Sequence, residues 1–84
     1  MTKQQLIDNV KNVIHIQLGV SKENIKLDSN LIEDLAADTL DIVELILAIE
    51  EEFDISIPED DSESIKTVGD LVNYVHDHYL GGRF

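Results

Sequence analysis

Apolar residues at Leu6, Val10, Val13 and Ile14 recur three and four apart, the spacing that lines one face of an α-helix. Thr2 stands before that stripe and Gln5 three residues later, the pattern of a capping box, in which each side chain accepts the other residue's orphan backbone N–H. Gly19 follows Leu18 as the stop. The pattern predicts a first helix over Lys3 to Leu18, with His15 and Ile16 off its main stripe. A second stripe, Ile42, Leu45, Ile46, Ile49 and Phe53, begins just after Asp38 as N-cap and Asp41 at the third helical position, where carboxylates meet the positive end of the helix dipole. Leu40, Val43 and Leu47 form a further apolar row beside this stripe. Two readings of that row stay open: a wide core face, or a strip left partly exposed. Thr67 and Asp70 repeat the capping pattern before Val68, Leu71, Val72, Val75 and Tyr79, and Gly81-Gly82 marks the end of that last helix.

Between these helices the periodicity lapses. From Val20 to Ala37 the turn formers Ser21, Asp28, Ser29 and Asn30 alternate with Ile25, Leu27, Leu31, Ile32 and Leu35, apolar enough to pin a long loop onto a core. Ile55-Ser56-Ile57 alternates as a strand does, but it is too short and isolated to build a sheet. Pro58 to Ser64 reads as a short third helix with Pro at its start and Glu59, Asp60 and Asp61 in its first turn. The fold class is therefore all-α: a small four-helix bundle with a long loop between the first and second helices and a short third helix. Residues 1–84 make one domain, with 80–84 expected as a frayed tail.

Charge changes this picture more than length does. Net charge is −12, and fourteen acids lie between Asp28 and Glu63 with no Lys or Arg among them. Such a field repels nucleic acid and anionic membrane and favours basic protein surfaces and divalent cations. A charge run alone is a solvated face. Here the acids alternate with apolar residues at helical spacing, which suits docking. No cysteine is present, so disulfides, thiolate metal sites and cysteine nucleophiles are excluded. The longest aliphatic run, Leu45 to Ile49, is too short for a bilayer span, and the N-terminus lacks the apolar core of a signal peptide. The expectation is a cytoplasmic monomer with no nucleic-acid partner and no membrane insertion.

An enzyme reading fares badly. Thr39 sits in the first turn of the second helix with only acids as polar sequence neighbours, and a nucleophile needs a base held by a third group. His15, His76 and His78 are too few and too badly spaced for a catalytic site. Asp60, Asp61 and Glu63 lack the alternating carboxylates and mid-loop glycine of a dedicated calcium loop, which leaves diffuse divalent binding. A hydroxyl without its own base is typically acted upon by another protein.

Leu31-Ile32-Glu33-Asp34-Leu35-Ala36-Ala37-Asp38-Thr39-Leu40-Asp41-Ile42-Val43-Glu44-Leu45 resembles the acyl carrier motif, in which Leu-Gly-Ala-Asp-Ser-Leu-Asp precedes Val-Glu-Leu. The resemblance continues through Glu50 to Pro58 and into Ile65-Lys66-Thr67-Val68, and Gln17-Leu18-Gly19-Val20 is similar to the end of the family's first helix. It implies a four-helix bundle that carries acyl chains as thioesters on 4′-phosphopantetheine, an arm attached from coenzyme A by a holo-acyl-carrier synthase. Thr39 stands at the attachment position, flanked by Asp38 and Leu40 as the modifying enzyme requires. Leu40, Val43 and Leu47 match apolar docking positions. Asp41, Glu44, Glu50 and Glu51 match carboxylates that meet basic patches on fatty acid synthesis and acyltransferase enzymes. The resemblance also implies that the bundle interior, lined by residues such as Ile49, Ile57 and Ile65, would shelter the acyl chain.

Two departures stand out. Ala36 replaces the family's glycine, which narrows the turn's conformational choice. Thr39 replaces its serine, and the β-methyl restricts χ1 and adds bulk where a transferase must close on the oxygen. Three readings follow: a residue modified slowly, a substituted variant that stays unloaded, or an unmodified acidic docking module that binds enzymes or assembly factors through the second helix. A divalent-cation buffer is a further, lesser reading.

Overall fold

Three reciprocal caps define where the long helices start. In the computed structural model, which describes residues 2–79, Thr2 Oγ1 accepts the Gln5 N–H at 3.1 Å and Gln5 Oε1 accepts the Thr2 N–H at 2.8 Å. The same box closes at Asp38 and Asp41 and at Thr67 and Asp70. Among the described residues the helices are α1 (Lys3–Leu18), α2 (Thr39–Phe53), α3 (Glu59–Ser62) and α4 (Val68–His78), with a 3₁₀ turn at Lys22–Asn24. Gly19 ends α1 with φ +68°, a left-handed conformation that suits glycine, and its N–H reaches the His15 carbonyl at 2.9 Å. Asp54 ends α2 in the same conformation at φ +53°. No glycine announces that stop; an aspartate tolerates the left-handed region better than most residues. The Gly81-Gly82 stop and the frayed tail expected at 80–84 lie outside the described residues.

α1 packs against both α2 and α4. Leu6, Val10 and Ile14 of α1, Leu45 and Ile49 of α2, and Leu71 and Val75 of α4 are fully buried. Truncating any of the leucines or isoleucines to alanine costs about 2–5 kcal/mol by the usual core scale. α3 is shorter than the pattern from Pro58 to Ser64 suggests, with Pro58 as its N-cap. Ile55 to Ile57 forms a connector without strand pairing, as expected for so short a segment.

The long loop is tied down by a backbone strap. Leu31 N–H donates to the Lys66 carbonyl at 2.9 Å, Val68 N–H to Ser29 at 3.0 Å and Gly69 N–H to Leu27 at 2.7 Å. The approach at Gly69 is so close that a Cβ there would lie 2.9 Å from the Leu27 oxygen. Ile25, Leu31 and Leu35 reach the core as expected, but Leu27 and Ile32 are exposed. The strap holds Leu27 by its backbone carbonyl, and Ile32 sits in a turn bound through its own N–H, so neither side chain is needed to anchor the loop.

Candidate functional site

Thr39 is presented by a bend whose polar groups are satisfied locally. Asn30 Oδ1 accepts the N–H groups of Ile32 and Glu33, both at 2.9 Å, while Asp34 Oδ2 accepts the Asn30 N–H at 2.7 Å. Ala37 N–H then closes onto the Leu31 carbonyl at 3.0 Å. Ala36 takes a φ of +59° between them, the left-handed region disfavoured for any residue with a Cβ. After this bend Asp38 caps α2 and Thr39 is its first residue, exposed to solvent.

The neighbours of the hydroxyl are committed to the backbone. Asp38 Oδ1 accepts the Asp41 N–H at 2.9 Å, and Asp41 Oδ2 accepts the Asp38 N–H at 3.2 Å. His15 Nδ1 lies 2.7 Å from the Val20 carbonyl, and His78 stacks on Tyr74 with ring centroids 4.0 Å apart. No histidine lines the cleft beside Thr39. Among the described residues no group of three or more His, Asp or Glu side chains is placed to hold a metal ion.

An open cleft of about 830 Å³ runs from Thr39 along α2. On that side it is lined by Thr39, Ile42, Val43, Ile46, Leu47 and Glu50, one face of the helix at three- and four-residue intervals. Leu31, Ile32, Ile57 and Ile65 supply apolar surface opposite, with Glu33, Glu59, Glu63 and Lys66 among the polar lining. Of the three residues matched to the acyl shelter, Ile57 and Ile65 line this cleft. Ile49 is fully buried in the core and is not among the lining residues. Ile42, Ile46 and Lys66 are lining residues that the sequence did not single out, because the stripe that marks Ile42 and Ile46 as core also describes a cleft wall.

The apolar row beside the stripe faces outward: Leu40, Val43 and Leu47 are 65%, 49% and 54% exposed. Ile32, 62% exposed, lines the same cleft as Val43 and Leu47 and adds to the apolar surface there. No periodicity points to Ile32, which lies in a turn. The four matched carboxylates divide into two pairs. Glu44 and Glu51 are exposed on α2. Asp41 and Glu50 are half-buried and bonded internally, Glu50 Oε2 accepting the Ile57 N–H at 2.8 Å across the turn between α2 and α3. Glu50 therefore braces the cleft wall that carries Ile57, whatever else it meets.

Among the described residues, Asp70 and Tyr74 are shifted by their surroundings. The backbone N–H of Lys66 holds the Asp70 carboxyl below the usual carboxylate range, assisted by the N–H and hydroxyl of Thr67 and opposed by partial burial. Burial pushes the Tyr74 phenol up to about 12, helped by the Asp61 carboxylate that accepts its proton at 2.8 Å and by the nearby charge of Glu50.

A helical bundle that presents an unassisted hydroxyl at the mouth of an apolar cleft has the form of a prosthetic-group-bearing domain, and residues 8–75 match the family model for the phosphopantetheine attachment site. The chain is 51% identical over 73 residues to the acyl carrier protein of Clostridium acetobutylicum, covering 87% of this chain and 95% of the relative. It is 53% identical over 73 residues to the acyl carrier protein of Chlamydia trachomatis serovar L2, with the same coverage. Over 70 residues it is 53% identical to the acyl carrier protein of a Sulfurovum species, covering 83% of this chain and 93% of that one. The chain belongs to the acyl carrier protein family. Among the described residues no helix is long and apolar enough to cross a membrane.

Proposed function

We propose that the protein carries acyl intermediates as thioesters on 4′-phosphopantetheine linked to Thr39, and delivers them to enzymes of fatty acid or related lipid synthesis. It acts as a carrier and not as an enzyme. The observation that carries this reading is the placement of an exposed hydroxyl at the first residue of α2 and on the lining of an apolar cleft. The residues present suit the arm. The hydroxyl oxygen provides the point of phosphodiester attachment, the start of α2 favours a phosphate through its free N–H groups and dipole, and the cleft offers apolar shelter to a hydrocarbon chain. Proton removal from Thr39 falls to the holo-acyl-carrier synthase, since the adjacent carboxylates are engaged in the cap.

Delivery rests on the outward face of α2. Leu40, Val43 and Leu47 supply apolar anchors, and Glu44 and Glu51 supply the charge that attracts basic patches on synthases and acyltransferases. A monomer in the cytoplasm suits this role. Intact mass after co-expression with a holo-acyl-carrier synthase tests it: a phosphopantetheine increment that disappears in Thr39→Ala supports carriage. An unchanged mass for the native chain would leave only a docking module acting through α2.

A further inference from the structure

We propose that Lys66 binds the phosphate of the prosthetic arm and keeps a loaded arm along the cleft; the inference rests on the carrier reading above. Thr39 and Lys66 line the same cleft, and among the described residues Lys66 is the one Lys or Arg that lines it. The chain has no Lys or Arg between Asp28 and Glu63, and among the described residues every other charged group on this cleft is a glutamate.

Backbone bonds place Lys66 relative to the hydroxyl and leave its side chain out of the task. Its carbonyl accepts the Leu31 N–H at 2.9 Å, and the Leu31 carbonyl accepts the N–H of Ala37, two residues before Thr39, at 3.0 Å. Its own N–H donates to Asp70 Oδ2 at 3.0 Å. The ammonium belongs to an exposed residue and makes no ion pair within 4 Å among the described residues. Asp70 feels its charge, but the hydrogen bonds that hold that carboxylate come from the backbone of Lys66 and Thr67.

A phosphodiester on Thr39 would carry a negative charge into the neighbourhood of Asp38, Asp41 and Glu33. The dipole of α2 offsets part of that repulsion. A lysine on the facing wall offsets more, because a flexible ammonium is an effective point-charge partner for phosphate. Lys66 is thus a positioning residue for the arm.

The test loads the native chain, Lys66→Gln and Lys66→Arg with holo-acyl-carrier synthase and coenzyme A, confirms loading by mass, and compares Tm for the apo and holo forms of each. The expected result is a holo-minus-apo change in Tm that is more favourable by a few degrees in the native chain and the Arg variant than in the Gln variant. The ³¹P resonance of the arm should also differ between native and Gln forms, and that difference should fade at 1 M salt. Equal holo-minus-apo changes with superimposable ³¹P resonances would overturn the role of Lys66 alone. Failure of all three chains to gain the phosphopantetheine mass would overturn the carrier reading, and this inference with it.

Discussion

At Thr39 a single methyl separates this chain from the serine expected at the attachment position. Crowding by one methyl costs about 1–3 kcal/mol. At 1.4 kcal/mol per decade, Thr39→Ser should load roughly ten- to a hundredfold faster if the whole penalty falls on the transition state. Modification rates with one synthase and coenzyme A check this, and equal rates would refute the steric account. Ala36 is the other residue-scale departure. It holds φ +59°, which for a residue with a Cβ costs about 1–2 kcal/mol. Ala36→Gly removes that strain and restores about 0.4–1 kcal/mol of unfolded-state freedom that opposes the gain. The net expectation is a stabilisation of about 0.5–1 kcal/mol, a rise in Tm of about 2–8 °C. A fall in Tm would mean that the bend is not strained at this residue.

The elements divide the acidic surface between support and recognition. Glu44→Lys should lower the association rate with a basic partner enzyme several-fold at low salt, and added salt should mimic it in the native chain. Leu47→Ala should instead raise the dissociation rate by about tenfold, with little salt dependence, because it removes an apolar anchor. Surface-binding kinetics without salt dependence would contradict this division. Glu50→Lys is a poor probe of docking, since it also releases the Ile57 N–H and loosens the connector between α2 and α3. At α4, Asp70 caps the helix with a carboxyl whose folded-state pKa is depressed by the Lys66 N–H. A depressed folded pKa contributes stability that is complete above the unfolded value of about 3.9 and is lost as pH falls through the folded one. The stability gap between the native chain and Asp70→Asn should therefore be level near neutrality and shrink only below about pH 4. Denaturant melts at pH 7, 4 and 3 measure it, and a gap that closes between pH 7 and 5 would exclude Asp70 as its source.

Across the whole molecule, net charge of −12 works against compactness. The described residues gather no dedicated metal cluster, so cations should act on the field as a whole. Millimolar Mg²⁺ should raise Tm by a few degrees, and monovalent salt should need far higher concentration for the same rise, through a Debye length that is still about 10 Å at 0.1 M. Thermal melts at matched ionic strength separate the two. A Tm indifferent to Mg²⁺ would show that repulsion does not limit stability.

The amino-acid sequence alone determined the features whose causes are local. The three capping boxes join residues three apart, and the buried stripes follow from a 3.6-residue period, so α1, α2 and α4 were readable at their starts and along their core faces. The family was legible too, through the resemblance of the motif around Asp38-Thr39-Leu40, which marks Thr39 as the position proposed for attachment. Tertiary structure decided everything that needs a distant partner. Periodicity marked Leu45 and Ile49 as the core stripe of α2, but only the tertiary packing settles that the adjoining row, Leu40, Val43 and Leu47, faces out. Ile49 lies in the bundle interior while Ile57 and Ile65 also line the cleft, because the cleft runs along the adjoining face of the helix. Glu50 carries the same charge as Glu44 in sequence, yet the chain turns back after Asp54 and brings the Ile57 N–H to it. Lys66 reaches the same cleft as Thr39 through the pairing of the long loop with the start of α4. Hydrogen bonds such as those from Leu31 to Lys66 and from Gly69 to Leu27 join residues far apart in the chain and leave no period in a sequence, whereas contacts three or four apart do.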